Sequence, residues 1–262
     1  MITIITPNWN GERYLERCLD SVIAQKRAGV DLQYIFVDGG STDGSMAIVD
    51  KYRGEIDDVI SEKDNGPASA INKGLRLARG EYVAWLNADD FYYPGSLARV
   101  TDAFARHPGR ALGFGRCLIV DEQDREIRRG ITKFKELFFP VSSRFTIQCI
   151  NYISQPAMFF RRSAMEKAGF LREDMKAAWD YDFTLRLWRS GGGFCLPGAP
   201  LSAFRWHEGS ISGQHFRRQF KEELAAAVAD AGWCTPQALI HLGVCWGIIG
   251  CYSAMHVLRR RS

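Results

Sequence analysis

The sequence predicts an α/β fold: a mostly parallel central sheet flanked by helices, followed by a helical C-terminal tail. Strand-like runs of β-branched and aromatic residues alternate with amphipathic helical segments through Leu86. Each connection between consecutive runs is long enough to hold a helix, and such crossovers join parallel strands. The 262 residues are 46% hydrophobic and 24% charged, which is typical of a globular protein with a sizeable core.

The first half of the chain shows this alternation most clearly. The run from Ile2 to Thr6 is β-branched and stops at Pro7, the pattern of a strand buried on both faces. Pro67 and Gly80 stand where a helix between them would begin and end. We expect strands at 2–6, 34–37, 59–61 and 82–86, and intervening helices over 12–25, up to Tyr52, and over 68–78.

Polar loops follow these predicted strands, at 7–10, 38–44, 64–66 and 87–90. Ligands of open parallel sheets bind outside the carboxyl ends of the strands, so we expect one crevice lined by all four loops. The last loop carries two adjacent carboxylates, Asp89 and Asp90, beside a hydrophobic strand. Because such carboxylates repel each other and lose solvation, Mg²⁺ or Mn²⁺ is their expected partner. Capping of the following helix is the alternative.

The second half has a less regular pattern. A helix containing Leu97, Val100 and Phe104 is expected before Pro108, and two strands within 111–130 are expected to flank a turn at 121–124. The aromatic stretch 134–151 lacks a clear period, which favours a flexible loop over the crevice. Further strands are expected at 156–160 and 201–206, and further helices at 164–167 and from Trp179 to the glycines at 191–193.

Charge and cysteine usage exclude several classes of protein. A net charge of +4 is too weak to indicate a nucleic-acid partner. The seven cysteines are scattered without a Cys-x-x-Cys pair, which predicts reduced thiols and no zinc or redox motif. The N-terminal apolar run is too short for a signal peptide and has no basic region. We therefore expect a cytoplasmic protein.

Five spaced motifs together resemble family 2 glycosyltransferases of the GT-A nucleotide-sugar fold, of the bacterial polysaccharide and glycolipid type. The motifs lie at 6–10, 37–44, 64–74, 80–90, and at 179–182 together with 205–207. The likeness is dense over 2–100, thinner to about 210 and absent afterwards. It implies a GT-A domain over 1–210, with a nucleotide-sugar half (1–100) and an acceptor half (101–210), and a tail over 211–262.

The resemblance also implies an activity. It predicts an inverting, metal-dependent transferase that moves a sugar from a nucleoside-diphosphate sugar, with UDP as the expected nucleotide. The acceptor would be a hydroxyl of a lipid-linked or cell-surface saccharide. A sugar-phosphate nucleotidyltransferase is the enzyme alternative, although its glycine-rich loop does not follow Thr6. A catalytically inactive nucleotide-binding or scaffold protein is the alternative from another class.

The donor-binding residues carried over from the resemblance lie on the four polar loops and one helix. Asp38 matches a residue that holds uracil or ribose, with a plain turn residue as its alternative. Lys73 would add positive charge near the diphosphate, with a solvated helical lysine as its alternative. The full predicted set is Thr6, Pro7, Asn8, Asn10, Asp38, Gly39, Asp64, Asn65, Lys73, Asn87 and Ala88.

The predicted metal ligands are Asp89, Asp90 and His207. Asp89 is the direct ligand, and Asp90 is a second ligand or orienter. His207 matches a position that ligates the metal or touches the diphosphate in some family members, and a purely structural histidine is its alternative. Asn87 replaces the first acid of the usual Asp-x-Asp, which leaves one charge fewer for the metal.

The resemblance implies Asp180 as the general base, since the family's base lies in an acidic pair at the start of the acceptor-side helix, and Asp182 is the fallback. Both stand at the start of a helix, where a carboxylate in a partly dry cleft has a raised pKa suited to proton transfer. Helix capping is the alternative for either residue. Trp179 occupies the position of the first acid in the family's usual Glu-Asp pair.

The tail contains an amphipathic helix over 216–231 and then an uncharged run over 236–258, about the length that spans a bilayer. Arg259, Arg260 and Arg261 follow it and would face anionic lipid. The glycines at 243 and 247 have a dimer spacing. We expect attachment to the inner face of the cytoplasmic membrane, with a buried or homodimer-forming helix as the alternative.

Overall fold

The first half of the chain forms the predicted alternation of strands and helices. The computed structural model describes residues 1–207, 209–210 and 216–259, with the side chains of 216, 217 and 248–259 left undescribed. The elements are β1 (Ile2–Asn8), α1 (Glu12–Arg27), β2 (Leu32–Asp38), α2 (Ser45–Lys51), β3 (Asp58–Ser61), α3 (Pro67–Leu77) and β4 (Tyr82–Trp85).

The second half adds shorter strands and more helices. They are β5 (Phe91–Tyr92), α4 (Ser96–Arg106), β6 (Leu112–Gly115), β7 (Cys117–Val120), α5 (Arg129–Glu136), α6 (Arg144–Cys149), a 3₁₀ turn (Gln155–Ala157), β8 (Met158–Arg161), α7 (Arg162–Ala168), α8 (Trp179–Arg189), β9 (Gly193–Leu196) and β10 (Ser202–Arg205). The tail forms α9 (Phe216–Ala231) and α10 (Pro236–Arg259).

The described strands form a seven-stranded sheet in the order β3-β2-β1-β4-β8-β6-β9 and a three-stranded sheet in the order β5-β10-β7. In the large sheet β8 runs antiparallel to its neighbours β4 and β6, and the other pairs are parallel. The predicted mostly parallel sheet is thus confirmed. Asn8 pairs with Asp38 across the ends of β1 and β2, so the loops that follow them start side by side.

Strand β1 is buried on both faces, as its continuous apolar run predicts. Ile5 packs in one core with Val37 and Trp85. Ile4 packs in the other core, on the opposite face of the sheet, together with Phe36. The strands that lead into the polar loops are therefore packed on both faces by hydrophobic cores, which holds the ends of these strands rigidly.

The expected strand pair within 111–130 differs from the observed one. The chain passes from the large sheet to the small one at Arg116, so β6 and β7 belong to different sheets. The turn at 121–124 is present, but its second arm pairs only through an isolated bridge between Val120 and Glu126. Strand β9 was not expected. Gly193 starts it because a Cβ there would lie 2.8 Å from the Trp188 ring, so the close packing needs glycine.

The expected flexible loop over 134–151 is wrong, because most of this stretch is helical or packed. Helix α6 is capped by Ser143, whose Oγ accepts the Thr146 N–H at 3.1 Å. Phe138 and Phe139 pack on Tyr152, with ring centroids 5.8 and 6.4 Å away. Phe138 and Phe139 lack a helical period because they pack in this cluster and do not form one face of a helix.

The tail helices pack on the second half of the chain, residues 101–210. Helix α9 contacts α8, and α10 contacts both α6 and α9. His241 of α10 is buried, with Nδ1 3.0 Å from the Gln148 carbonyl oxygen. Over the described residues, no helix is both long and apolar enough to cross a bilayer. The domain boundary at 210, membrane attachment and dimerisation stay predictions.

Candidate active site

The loop 87–90 after β4, here called the acidic loop, divides its two carboxylates between core and crevice. Asp90 is 1% exposed; its Oδ1 accepts the Arg205 backbone N–H at 2.9 Å, and its Oδ2 accepts Asn87 Nδ2 at 3.3 Å. Burial, with the nearby Asp89 charge, raises the pKa of Asp90 well above its usual value. Asp90 is therefore placed to orient the loop rather than to face the crevice.

Asp89, which belongs to the acidic loop, and His207 form a half-buried pair. His207 Nε2 lies 3.1 Å from Asp89 Oδ2, and the Tyr14 ring flanks the imidazole at 5.2 Å. Over the described residues no group of three or more His, Cys, Asp and Glu side chains converges as a metal cage. A carboxylate that leaves room for phosphate oxygens still fits Mg²⁺ or Mn²⁺, because these ions take only one or two protein carboxylates when a substrate phosphate is present.

Arg205 holds the acidic loop from inside the protein. It is 1% exposed; its Nε donates to the Asp89 carbonyl oxygen at 3.0 Å, and its Nη1 donates to the Asp121 carbonyl oxygen at 2.7 Å. Its Nη2 pairs with Asp124. Burial raises the pKa of Asp124, but Arg205 and Arg17 outweigh it and hold the pKa below its usual value. Arg205 lies in the motif at 205–207, but the resemblance implies a role only for His207 there.

The Asp38 carboxylate, at the end of β2, accepts hydrogen bonds from protein donors at both oxygens. Its carboxylate accepts Asn8 Nδ2 at 2.9 Å, Ser61 Oγ at 3.0 Å, and the backbone N–H groups of Gly40 and Ser41 at 3.1 and 2.9 Å. Burial raises the pKa of Asp38, yet these hydrogen bonds outweigh it and lower the pKa. The carboxylate therefore shapes the 38–41 loop, and its contact with a nucleoside stays a prediction.

Two glycines let the predicted donor loops approach each other. A Cβ on Gly39 would lie 2.6 Å from Asp64 Oδ2, so Asp64 lies directly over the loop after β2. A Cβ on Gly11 would lie 2.3 Å from Asn8 Oδ1 and 3.2 Å from Ala88 Cβ. The loops after β1 and β4, and those after β2 and β3, thus lie against each other at the carboxyl edge of the sheet, while the crevice between them stays a prediction.

Other predicted donor residues have different surroundings. The Thr6 hydroxyl is buried in the core, 3.0 Å from the Tyr34 hydroxyl, so its side chain does not face the crevice. Lys73 Nζ pairs with Glu62 Oε1 at 2.8 Å. Asn10 has φ of 50° and accepts the Thr42 N–H at 2.9 Å, which fixes the loop after β1. Pro7 is buried and Asn65 is exposed.

The two candidate bases have separate environments. Asp182 pairs with Arg186 at 2.9 Å and lies 4.0 Å from Arg172 Nη1. Asp180 has no such partner in the described contacts beyond the Tyr181 N–H at 2.8 Å. Burial raises the pKa of Asp180, while the Tyr181 hydrogen bond and the Lys135 charge lower it. Of the two, only Asp182 has a cationic side-chain partner among the described ion pairs, and the role of either as base stays a prediction.

A short segment before β8 connects Asp180's surroundings to the acidic loop. Lys135 Nζ donates to Ser154 Oγ at 3.2 Å. The next residue, Gln155, donates to the Trp85 carbonyl oxygen at 2.8 Å and accepts Asn87 Nδ2 at 3.3 Å. Sequence reasoning missed Lys135 and Gln155, because neither lies in a recognisable motif.

The parallel sheet and the loops at its carboxyl edge define a GT-A fold. The chain belongs to glycosyl transferase family 2, whose model matches residues 3–169. Asp180 and the whole tail lie beyond the matched residues.

Similar proteins and structures agree with the family. An uncharacterized glycosyltransferase of Nostoc sp. is 32% identical over 63% of this chain, and chondroitin synthase of Escherichia coli is 29% identical over 71% of it. The chain spans 52% and 26% of the lengths of these two relatives.

Two solved structures show the same fold. S. aureus TarS 1-349 in complex with UDP-GlcNAc matches with a TM-score of 0.71 and 18% identity, over 91% of this chain and 69% of that one. The mannosyltransferase PcManGT from Pyrobaculum calidifontis, in complex with GDP-Man and Mn²⁺, matches with a TM-score of 0.69 and 20% identity, over 94% and 69%.

Proposed function

We propose that this protein is an inverting glycosyltransferase that moves a sugar from a nucleoside-diphosphate sugar, with UDP as the expected nucleotide, to a hydroxyl of a saccharide acceptor. The single observation that carries the proposal is the meeting of four polar loops at the sheet's carboxyl edge, beside a half-buried carboxylate, Asp89. Family membership and the nucleotide-sugar complexes of TarS and PcManGT support it, and favour glycosyl over nucleotidyl transfer.

The donor side would use the loops after β1, β2 and β3. Asn8 Oδ1 is buried and has no hydrogen-bond partner among the described residues, so it offers an acceptor to a bound nucleoside. The Asp64 carboxylate over Gly39 adds a second polar group on the same side. The Asp38 network holds the loop between them in one shape.

A divalent cation fits the acidic loop. Asp89 would be its protein ligand, with His207 beside it to ligate the ion or donate to the diphosphate. When bound, the ion supplies positive charge that stabilises the departing diphosphate. Asp90 and Arg205 hold Asp89 in place through the contacts described above. The Mn²⁺ complex of PcManGT supports metal use.

Asp180 would act as the general base. It takes the proton of the acceptor hydroxyl while that oxygen forms a bond to the anomeric carbon. The bond from this carbon to the diphosphate oxygen breaks, and its electron pair leaves with the diphosphate. Because the acceptor oxygen attacks the face opposite the leaving group in a single displacement, the anomeric centre is inverted, and no second carboxylate is needed as a nucleophile. Asp182 is not suited to this step because Arg186 neutralises it.

Exposed apolar side chains support a lipid-linked acceptor at a membrane surface. On α10, Trp246 is 68% exposed and Leu239 is 60% exposed. Near α6, which α10 contacts, Leu137 and Val141 are also exposed. Such side chains suit attachment to a bilayer surface.

An inactive nucleotide-binding protein is the second candidate. The observation that favours it is the loss of two acids, since Asn87 and Trp179 stand where the family usually has carboxylates. Asn87 nevertheless bonds Asp90 and Gln155, and Trp179 is part of the core. Both residues therefore have structural roles. Their presence in place of acids does not by itself indicate that the protein is inactive.

Titration calorimetry of the full chain with UDP and GDP, with and without Mn²⁺, tests the proposal. We expect binding that strengthens when Mn²⁺ is present, and weakening of that Mn²⁺ effect in Asp89→Asn. A screen of nucleotide sugars for release of the nucleoside diphosphate then identifies the donor. Binding without release from any sugar would favour the inactive protein, and no binding of either nucleotide would refute both candidates.

A further inference from the structure

Helix α5 directs two polar side chains, Thr132 and Lys135, into a small cavity beside β7. Cys117 of β7 and Ser154 of the segment before β8 line the same cavity. Lys135 and Ser154 are only half-buried, so solvent reaches it. Its volume of about 10 Å³ admits one water molecule or one oxygen atom of a ligand.

The Lys135 ammonium in this cavity has a hydroxyl as its hydrogen-bond partner and no direct counter-ion. Nζ donates to Ser154 Oγ at 3.2 Å, and no carboxylate forms an ion pair with it in the described part of the chain. An ammonium group carries three donors, so hydrogen bonds remain to be made. Burial lowers the pKa of Lys135 and outweighs the charges of Asp180 and Glu223, which raise it. A partly desolvated cation of this kind is stabilised by an anion placed beside it.

Thr132 gives a second, independent indication of a ligand. Its side chain is 5% exposed, and its Oγ1 has no hydrogen-bond partner among the described residues. A threonine hydroxyl within a helix can bond a backbone carbonyl of the preceding turn, and this one does not. Because buried polar groups are nearly always hydrogen-bonded, the hydroxyl requires water or a ligand in the cavity.

The acidic groups that line the cavity do not compete for Lys135. The Glu136 carboxylate pairs with Arg116 Nε at 2.7 Å. Burial raises the pKa of Cys117 to about 12, so its thiol is neutral at physiological pH. The cavity therefore offers a cation and a hydroxyl, a donor set that suits an oxygen of a phosphate or carboxylate.

The cavity lies on the side of the acidic loop away from the donor loops. In the large sheet, β4 separates β1, β2 and β3 from β8. Gln155, next to Ser154 of the cavity, accepts Asn87 Nδ2 of the acidic loop at 3.3 Å. The Thr184 hydroxyl of α8 donates to Met158 Sδ, at the start of β8, at 3.0 Å. One short segment thus joins the cavity to the acidic loop and to the helix that carries the proposed base.

We propose that this cavity, with Lys135 and Thr132 as its binding residues, holds one oxygen of an anionic group, a phosphate or a carboxylate, carried by the saccharide acceptor. The inference rests on the proposed function, because it assigns the acceptor class of that transfer. Lys135 donates a charge-assisted hydrogen bond to the anion, and Thr132 donates a second one. Held in this way, the acceptor approaches the acidic loop from the side opposite the nucleotide, and anionic acceptors are preferred to neutral ones.

Titration of the full chain with inorganic phosphate and with glucuronate, followed by ¹H–¹⁵N NMR, tests the site without any donor. We expect saturable shifts of the amides of Thr132 and Lys135 with at least one of the anions, and an affinity at least about tenfold weaker in Lys135→Met. The tighter of the two anions distinguishes a phosphate site from a carboxylate site.

Lys133→Met is the matched control for this titration. Lys133 is an exposed lysine of the same helix, so its replacement removes one charge from α5 without reaching the cavity. We expect this variant to bind both anions like the unaltered protein. The same affinity in Lys135→Met as in Lys133→Met, or no saturable shift with either anion, would overturn the inference.

Acceptor preference supplies the second readout, with the nucleotide sugar found by the donor screen. We expect kcat/KM for methyl glucoside 6-phosphate or methyl glucuronide to exceed that for methyl glucoside at least about tenfold, and this ratio to approach one in Lys135→Met but not in Lys133→Met. Equal use of neutral and anionic acceptors by the unaltered protein would overturn the inference. If no donor is turned over, the proposed function fails, while the anion titration still decides whether the cavity binds an anion.

Thr132→Val separates anion binding from stability. Valine keeps the shape of the side chain and removes a hydroxyl that has no described protein partner, so we expect a thermal midpoint no lower than that of the unaltered protein. The affinity for the bound anion should fall about three- to tenfold. A lower thermal midpoint with unchanged anion affinity would show that the hydroxyl is structural and overturn its assignment to the site.

Discussion

Arg205 fixes the position of the acidic loop from a fully buried site. Its guanidinium bonds two backbone carbonyls, of Asp89 and Asp121, and pairs with the Asp124 side chain. Such a forked donor set joins two loops that are far apart in sequence. The crevice therefore depends on a residue that does not face it.

Replacement of Arg205 by Ala tests this dependence. It removes the donor of the Asp89 carbonyl, leaves Asp124 with Arg17 alone and the Asp121 carbonyl with the Asp124 N–H alone, and opens a cavity, so we expect a loss of about 3–5 kcal/mol in the free energy of unfolding. Urea unfolding measures it. Arg125→Ala, which removes an exposed pair with Asp121 in the same turn, should change the free energy by no more than about 0.5 kcal/mol. Equal effects of the two changes would contradict the role given to Arg205.

Sequence patterns predicted the residues of the loops better than their partners. Asp38, Asp64 and Asp89 follow strands, and the strand ends of a parallel sheet meet at one edge, so their common location was predictable. Glu222 accepts the backbone N–H groups of Ala177 and Ala178, just before Asp180, from a helix 44 residues further along the chain (222 − 178). Only tertiary packing brings them together, and no local pattern encodes that.

At the scale of elements, the strands with continuous apolar runs were predicted and the stretch 134–151 was not. Strands β1, β2 and β4 are buried on both faces, so their residue types alone indicate them. Helices α5 and α6 are short: α5 joins the aromatic cluster around Tyr152 through the Phe134–Phe138 ring pair, and α6 buries Ile147 in the core and packs on α10. Their helical state therefore follows from the fold, not from a period.

Helix α9 holds the start of α8, and Glu222→Ala tests this link between elements. The backbone N–H groups of Lys176, Ala177 and Ala178 lose their acceptor, so we expect the protein to lose about 1–3 kcal/mol of unfolding free energy. Amide hydrogen exchange should rise at 176–178 and in the first turn of α8, while β1 and β2 stay protected. Unchanged exchange at 176–178 would show that α8 keeps its place without the tail.

At the scale of the whole molecule, the tail packs on residues 101–210, the predicted acceptor half. Glu222, Glu223 and Asp230 of α9 contact residues of α8, of α6 and of the segments next to them. The predicted boundary at 210 separates the part of the chain that resembles the family from the part that does not, but the contacts of the candidate site cross it. A chain cut near 210 would lose groups that surround Asp180.

The exposed apolar side chains of the tail predict binding to anionic vesicles. We expect sedimentation of the full chain with vesicles that contain phosphatidylglycerol, and at least a severalfold loss of binding in a Trp233→Glu, Trp246→Glu double variant, because both indoles are exposed and make apolar contact with the headgroup region. Phe170→Glu, on another exposed site, is the control. Equal binding of both variants would place the lipid contact elsewhere.

The measurement that tests the central claim most directly compares Asp180→Asn with Asp182→Asn in donor binding and in transfer. With the nucleotide sugar found by the donor screen, we expect Asp180→Asn to bind the donor with unchanged affinity and to release the nucleoside diphosphate about 10²- to 10⁴-fold more slowly. Asp182→Asn should lower stability, because it leaves Arg186 unpaired, and retain most of the turnover of its folded fraction. Turnover of Asp180→Asn within about twofold of the unaltered protein would contradict the account.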